Sequence, residues 1–151
     1  MDFETASDYR SPFCTLGRRL MPYPPDLKAA ARRHLLAANI LDSTDRRDVA
    51  GYLYGIAAEC GIKALMQQAG FRLSQSREND PYYAHFPALR TLLRNRLEGR
   101  NAAVLRRHIY NDNFFSEWDI SMRYGKGASI SARAIDQWKL QAISVVGSID
   151  T

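Results

Sequence analysis

The segment that most constrains this chain runs from about residue 45 to residue 69. Leu53, Ile56, Ala57, Cys60 and Ala64 form one helical stripe along it, and Ile62, Leu65 and Met66 form a second. A helix that is apolar on most sides has to sit at the centre of other helices. Gly51, Gly55 and Gly61 recur along the same segment. They cost helix propensity but let a neighbouring group approach the backbone closely. Gly70 closes the segment as a left-handed cap.

The flanking segments read as further helices. Pro22, Pro24 and Pro25 end a stretch without clear period, and a helix begins near Pro25-Asp26. From about 26 to 41, Leu27, Ala30, Ala31, His34, Ala38 and Leu41 share a face, with Arg32 and Arg33 opposite. Asp42-Ser43-Thr44-Asp45 is a break with N-cap chemistry for the central helix. Residues 71–82 read as a polar loop, 83–97 as a helix, Glu98-Gly99 as an interruption and 101–110 as another helix. Residues 111–128 are irregular but rich in Phe114, Phe115, Trp118, Ile120 and Met122. A last amphipathic helix spans about 130–148. No segment has the period of a strand. The reading is an all-α, up-and-down bundle of about five helices, with residues 1–24 as an N-terminal extension and 25–151 as one helical domain.

Composition bounds the partners. Hydrophobic residues make up 46% and charged residues 25% of the 151-residue chain, which is enough to bury a core. No apolar run approaches the roughly 20 residues a membrane helix needs. The acidic N-terminus MDFETASDYR has no signal-peptide pattern. Cys14 and Cys60 make neither a disulfide framework nor a four-ligand zinc site. A cytoplasmic protein with reduced thiols is therefore expected. The net charge is +5, and arginine supplies 17 of the 21 basic residues. The excess fits general solubility charge or a phosphate-binding surface.

Three groups of residues carry chemistry. Glu59 and Lys63 lie four apart on the central helix, in the favourable order, and read as an internal ion pair. Arg90, Arg94, Arg96, Arg100, Arg106 and Arg107 face only Glu98 along the chain. They make a positive stripe for RNA or nucleotide, for an acidic partner, or simply a solvated face. Among the histidines, His34 falls on an apolar face and His85 opens a helix, where it caps or hydrogen-bonds inward. His108 lies in Arg106-Arg107-His108-Ile109-Tyr110. It is either a surface histidine or a neutral imidazole, its pKa pressed down by the arginines, suited to acid–base work on an RNA phosphodiester. No nucleotide-triphosphate loop, GxSxG elbow or metal-ligand spacing occurs, so no metal or cofactor is expected.

The stretch Tyr52-Leu53-Tyr54-Gly55-Ile56-Ala57-Ala58-Glu59-Cys60-Gly61-Ile62-Lys63-Ala64-Leu65 resembles the Y-x-x-G-x-A-x-E-C-x-x-K-A-L signature of prokaryotic HEPN-domain proteins. His85-Phe86-Pro87-Ala88-Leu89 resembles that family's His-x-x-x-Leu stretch, and Trp118 with Arg123-Tyr124 resembles its Trp…Arg-Tyr stretch, in the same order. The resemblance covers about residues 26–149. It implies a small helical bundle, usually a homodimer, in defence or toxin–antitoxin systems. Members are metal-independent ribonucleases or non-catalytic RNA-, nucleotide- or partner-binding modules.

The ribonucleases carry Arg, four to six residues, then His. Here the nearest pair is Arg100-Asn101…His108-Ile109-Tyr110, with seven residues between. On a straight helix the two would stand about 80° apart around the axis and about 12 Å along it. The resemblance thus implies a non-standard centre. The leading reading is binding of RNA, nucleotide or a partner protein, with Arg90, Arg94, Arg107 and Arg123 as contacts. One alternative is an active endoribonuclease with His108 as acid–base, Arg100 on phosphate, Asn101 as positioner and Tyr110 completing the motif. A structural subunit of a larger complex is another. Where a partner nucleotidyltransferase modifies family members, Tyr110 occupies the matching position.

Overall fold

The structure is a computed structural model and describes residues 23–72, 77–97 and 102–151. Among the described residues it contains five α-helices: α1 (Leu27–Asp42), α2 (Arg47–Gln68), α3 (Ala88–Arg96), α4 (Ala103–Ile109) and α5 (Ala132–Gly147). Short 3-10 turns fill the connections, and no strand occurs among the described residues. The all-α bundle expected from the sequence is what forms. No helix among the described residues is long and apolar enough to cross a membrane.

Local chemistry sets the helix ends. Asp26, just after Pro25, accepts the Ala29 N–H at 3.0 Å and starts α1. The polar break after α1 works differently from its expected role. Ser43 and Thr44 hydroxyls donate to the carbonyls of Ile40 and Leu41, both at 2.7 Å, and so close α1. The N-cap of α2 is Arg46, with no side-chain cap. Gly70, at φ +80°, adopts the expected left-handed conformation after α2.

Two expected elements shift. The segment read as a polar loop buries Phe71, Asp80, Pro81 and Tyr82, and the Tyr82 hydroxyl donates to the Phe71 carbonyl at 2.8 Å. The next helix begins at Ala88 rather than 83. A proline ring disfavours the α conformation in the residue before it, so Pro87 keeps Phe86 out of the helix. Of the interrupted stretch that follows, Glu98, Gly99, Arg100 and Asn101 lie outside the described residues, as does most of the N-terminal extension.

Helix α2 is the axis of the bundle. Thirteen of its 22 residues are buried, which explains why its apolar residues follow no single face. It lies antiparallel to α1 across the 43–46 turn. Gly51 faces Ile135 and Gly61 faces Val145, so α5 runs in the same direction as α2. The approach is closest at Gly55, where a β-carbon would stand 1.9 Å from the Trp118 indole. That indole donates to the Gly51 carbonyl at 3.1 Å and stacks on Tyr52, with ring centroids 5.9 Å apart. Phe86, Phe114 and Phe115 pack around it, centroids 5.1 to 5.4 Å apart. The irregular, aromatic-rich segment is therefore core, as its composition implies.

Gly55→Ala should lower stability by about 3 kcal/mol, the upper range for overpacking a core. The thermal midpoint should fall by roughly 6–12 °C, read by circular dichroism. Gly147→Ala, at a position whose β-carbon meets nothing within 4 Å, should leave the midpoint unchanged or slightly raised.

Candidate functional site

The candidate site lies where α4 ends. Its last turn carries Arg106, Arg107 and His108, and the chain then folds through tight turns containing Phe115 at φ 49° and Glu117 at φ 66°. Helix α3 holds these turns from one side. Arg90 donates to the carbonyls of Asp112 and Phe114 at 2.8 and 3.0 Å. Arg94 donates to the Ile109 carbonyl and the Asp112 carboxylate, both at 2.8 Å. Helix α5 holds them from the other side: Gln141 donates to the Asn113 carbonyl at 2.9 Å and accepts the Phe115 N–H at 2.8 Å.

This arrangement changes the meaning of the arginine stripe. Arg96 and Arg106 also donate to backbone carbonyls, those of Asn79 and Leu97. Four of the arginines expected to form a free positive face thus terminate carbonyl groups that helix ends and turns leave without partners. Arg107 remains exposed on α4. Arg123 is exposed on a 3-10 turn, its guanidinium 4.9 Å from the ring centre of Tyr124.

His108 is not a surface histidine; only 6% of it is exposed. Its Nε2 lies 3.2 Å from the Ser148 hydroxyl oxygen. That hydroxyl spends its own proton on the Ser144 carbonyl at 2.8 Å, so its oxygen accepts from His108 Nε2 and, at 3.2 Å, from Arg107. The imidazole is therefore the neutral tautomer protonated on Nε2. Burial first, and the Arg107 charge second, push its pKa down to about 4. The direction expected from the sequence holds, with burial rather than the neighbouring arginine as the larger cause.

Arg107, His108, Asn111, Phe114, Leu140 and Ser144 line an open cleft of about 290 Å³. Tyr110, half-exposed, stands one turn on from Arg107 with the Arg94 guanidinium 5.9 Å from its ring centre. Arg100 and Asn101 lie outside the described residues. Ser148, Ser144 and Gln141 are the participants that sequence reading missed. They come from a helix whose periodicity marks only its core face, and nothing local ties them to α4.

A second polar cluster lies on α2. Glu59 and Lys63 are both buried and paired at 2.8 Å, the internal ion pair expected from their spacing. His85 donates from Nδ1 to the same carboxylate, at 2.9 and 3.1 Å from its two oxygens. This is the inward hydrogen bond anticipated as one role for His85. Next to it, burial lifts the Cys60 thiol to about 11, which removes thiolate chemistry at neutral pH.

Two outcomes follow. The folded pKa of His108 lies below its usual 6.5, so the unfolded chain binds the extra proton between about pH 6.5 and 4. Stability from this group is complete above pH 6.5 and falls as pH drops through that window. Midpoints measured from pH 7.5 to 4 should fall less steeply in His108→Gln than in the wild type. Lys63→Met should cost about 3–5 kcal/mol in denaturant unfolding by stripping the buried carboxylate of its ammonium, while the Glu59→Leu, Lys63→Met double variant should cost far less than the two single changes combined.

The chain matches no protein-family model, no curated protein and no solved structure.

Proposed function

We propose that this chain is a HEPN-like, cytoplasmic homodimer of a prokaryotic defence or toxin–antitoxin type system, and that it binds single-stranded RNA at the end of α4 without cleaving it. The observation that carries the reading is the grouping in the cleft of the exposed Arg107, the uncharged His108 and Asn111, with the half-exposed Tyr110 ring beside Arg94 on the same turn of chain. The guanidinium suits a phosphate, and the ring offers a base a face to stack on.

The HEPN-like reading has its own support. The pieces that carry the resemblance converge in space on the central helix. His85, from the second piece, meets Glu59 of the first. Trp118, from the third, covers Gly55 and bonds to Gly51.

Binding is favoured over an endoribonuclease built on Arg100 and His108 by the state of the imidazole. A general acid–base works best with a pKa near the operating pH. Here burial and the Arg107 charge hold the imidazole down at about 4, and its Nε2 is committed to Ser148. His108 therefore reads as a positioning group that holds Arg107 and Ser148 at the cleft.

Fluorescence anisotropy with a labelled single-stranded RNA tests this. Tyr110→Ala should weaken binding by roughly 5- to 100-fold, the loss of one stacked base. Arg107→Ala should weaken it and reduce the salt slope by about 0.7, one phosphate contact. Incubation of the wild type with an RNA pool in EDTA should leave the RNA intact. Cleavage that disappears in both His108→Ala and Arg100→Ala would establish the ribonuclease instead.

A further inference from the structure

The large aliphatic side chains left exposed are not scattered. Among the described residues they are Leu36, Ile40, Val49, Leu140 and Ile143, and four of the five lie on α1 and α5. Lys28 and Arg32 reach Asp150 at one end of this helix pair, and Lys139 reaches Asp42 at the other. The two helices therefore run antiparallel in a known register. That register puts Leu36 level with Ile143 and Ile40 level with Leu140. Leu36, Ile40 and Leu140 are 64%, 59% and 70% exposed. They form one aliphatic face on the outside of a helix pair whose inner sides are core.

We infer that this face is the contact between two copies of the chain, packed as a four-helix layer with the α1 of each copy over the α5 of the other. The inference rests on the homodimer reading above and names its surface. Both helices are 16 residues long, so each covers the other end to end. Each is about 24 Å long. With helices 8–10 Å apart, the pair presents a face about 20 Å wide, roughly 480 Å² a side and so about 1,000 Å² in all, the least a specific interface needs.

A two-fold axis parallel to the helices preserves the register. It sets Leu36 of one copy against Ile143 of the other, and Ile40 against Leu140. The charges at the ends agree with this axis. Lys28 and Arg32, both about half-exposed, come over the second copy's half-exposed Asp150. Arg47 comes over the second copy's Asp136, which is mostly exposed. An axis perpendicular to the helices would instead bring Asp136 toward Asp150, acid against acid. Leu140 also lines the α4 cleft, so the second copy forms part of that cleft's wall.

Sedimentation equilibrium of the full chain tests the surface. The wild type should run at twice 17.1 kDa at micromolar concentration. Leu36→Asp and Leu140→Asp should each run at the single-chain mass, with thermal midpoints near those of a monomeric chain because both sites are on the surface. Leu140→Ala, which adds no charge and suits a helix, should weaken the dimer about tenfold. Tyr124→Ser, at another exposed large residue, should leave it intact. A wild type that is monomeric at 100-fold higher concentration overturns the surface and the homodimer reading together. A wild-type dimer that persists in both aspartate variants overturns the surface alone.

Discussion

The approach of Trp118 to Gly55 is the constraint on which the bundle depends. An indole can lie this close to a helix only where the helix carries no side chain. Once there, its N–H meets the Gly51 carbonyl and its ring covers Tyr52 and the phenylalanine cluster. The irregular segment that bears Trp118 is thereby fastened to α2. That segment also carries the tight turns after α4, and Arg90, Arg94 and Gln141 clamp those turns from their two sides. The α4 cleft thus owes its shape to a contact made across the core as well as to these local bonds.

Glu59 plays a comparable part on the other side of α2. A buried carboxylate must have partners, and it takes Lys63 from its own helix and His85 from the approach to α3. The pairing fixes His85 just before Phe86 and Pro87, where the proline keeps the preceding residue out of the α conformation. Burying these charges is of little net benefit to stability, because their desolvation offsets their attraction.

Much of the fold is legible in the sequence because α2 breaks the usual rule so plainly. Its apolar circumference, three glycines and Glu59–Lys63 spacing are local signals, and each corresponds to a contact in the structure. The start of α1 near Pro25-Asp26 is legible too, since a proline is tolerated only in a helix's first turn, and Asp26 does cap it. The start of α3 at Ala88 and the burial of Phe71 and Tyr82 are not. They are decided by how a proline and an aromatic pair fit an existing core, which no local period reports. The cleft was half legible: Arg107 and His108 are adjacent in sequence, whereas Ser144 and Ser148 arrive from α5 and its cap, some forty residues on.

The arginines show why charge is a weak guide to partners until geometry is known. From the sequence, Arg90, Arg94, Arg96 and Arg106 look equivalent to Arg107. In the structure those four reach carbonyl oxygens at the ends of α3 and α4 and in the adjoining turns, where no backbone N–H is available. A guanidinium is suited to this task, because its several donors can satisfy two acceptors while part of the group stays in water. Much of the +5 net charge thereby serves the fold, and its long-range field still draws anions toward the molecule. What distinguishes Arg107 is position rather than charge. It shares the Ser148 hydroxyl with an imidazole that burial keeps neutral, so among the described residues that line the cleft its charge meets no competing cation.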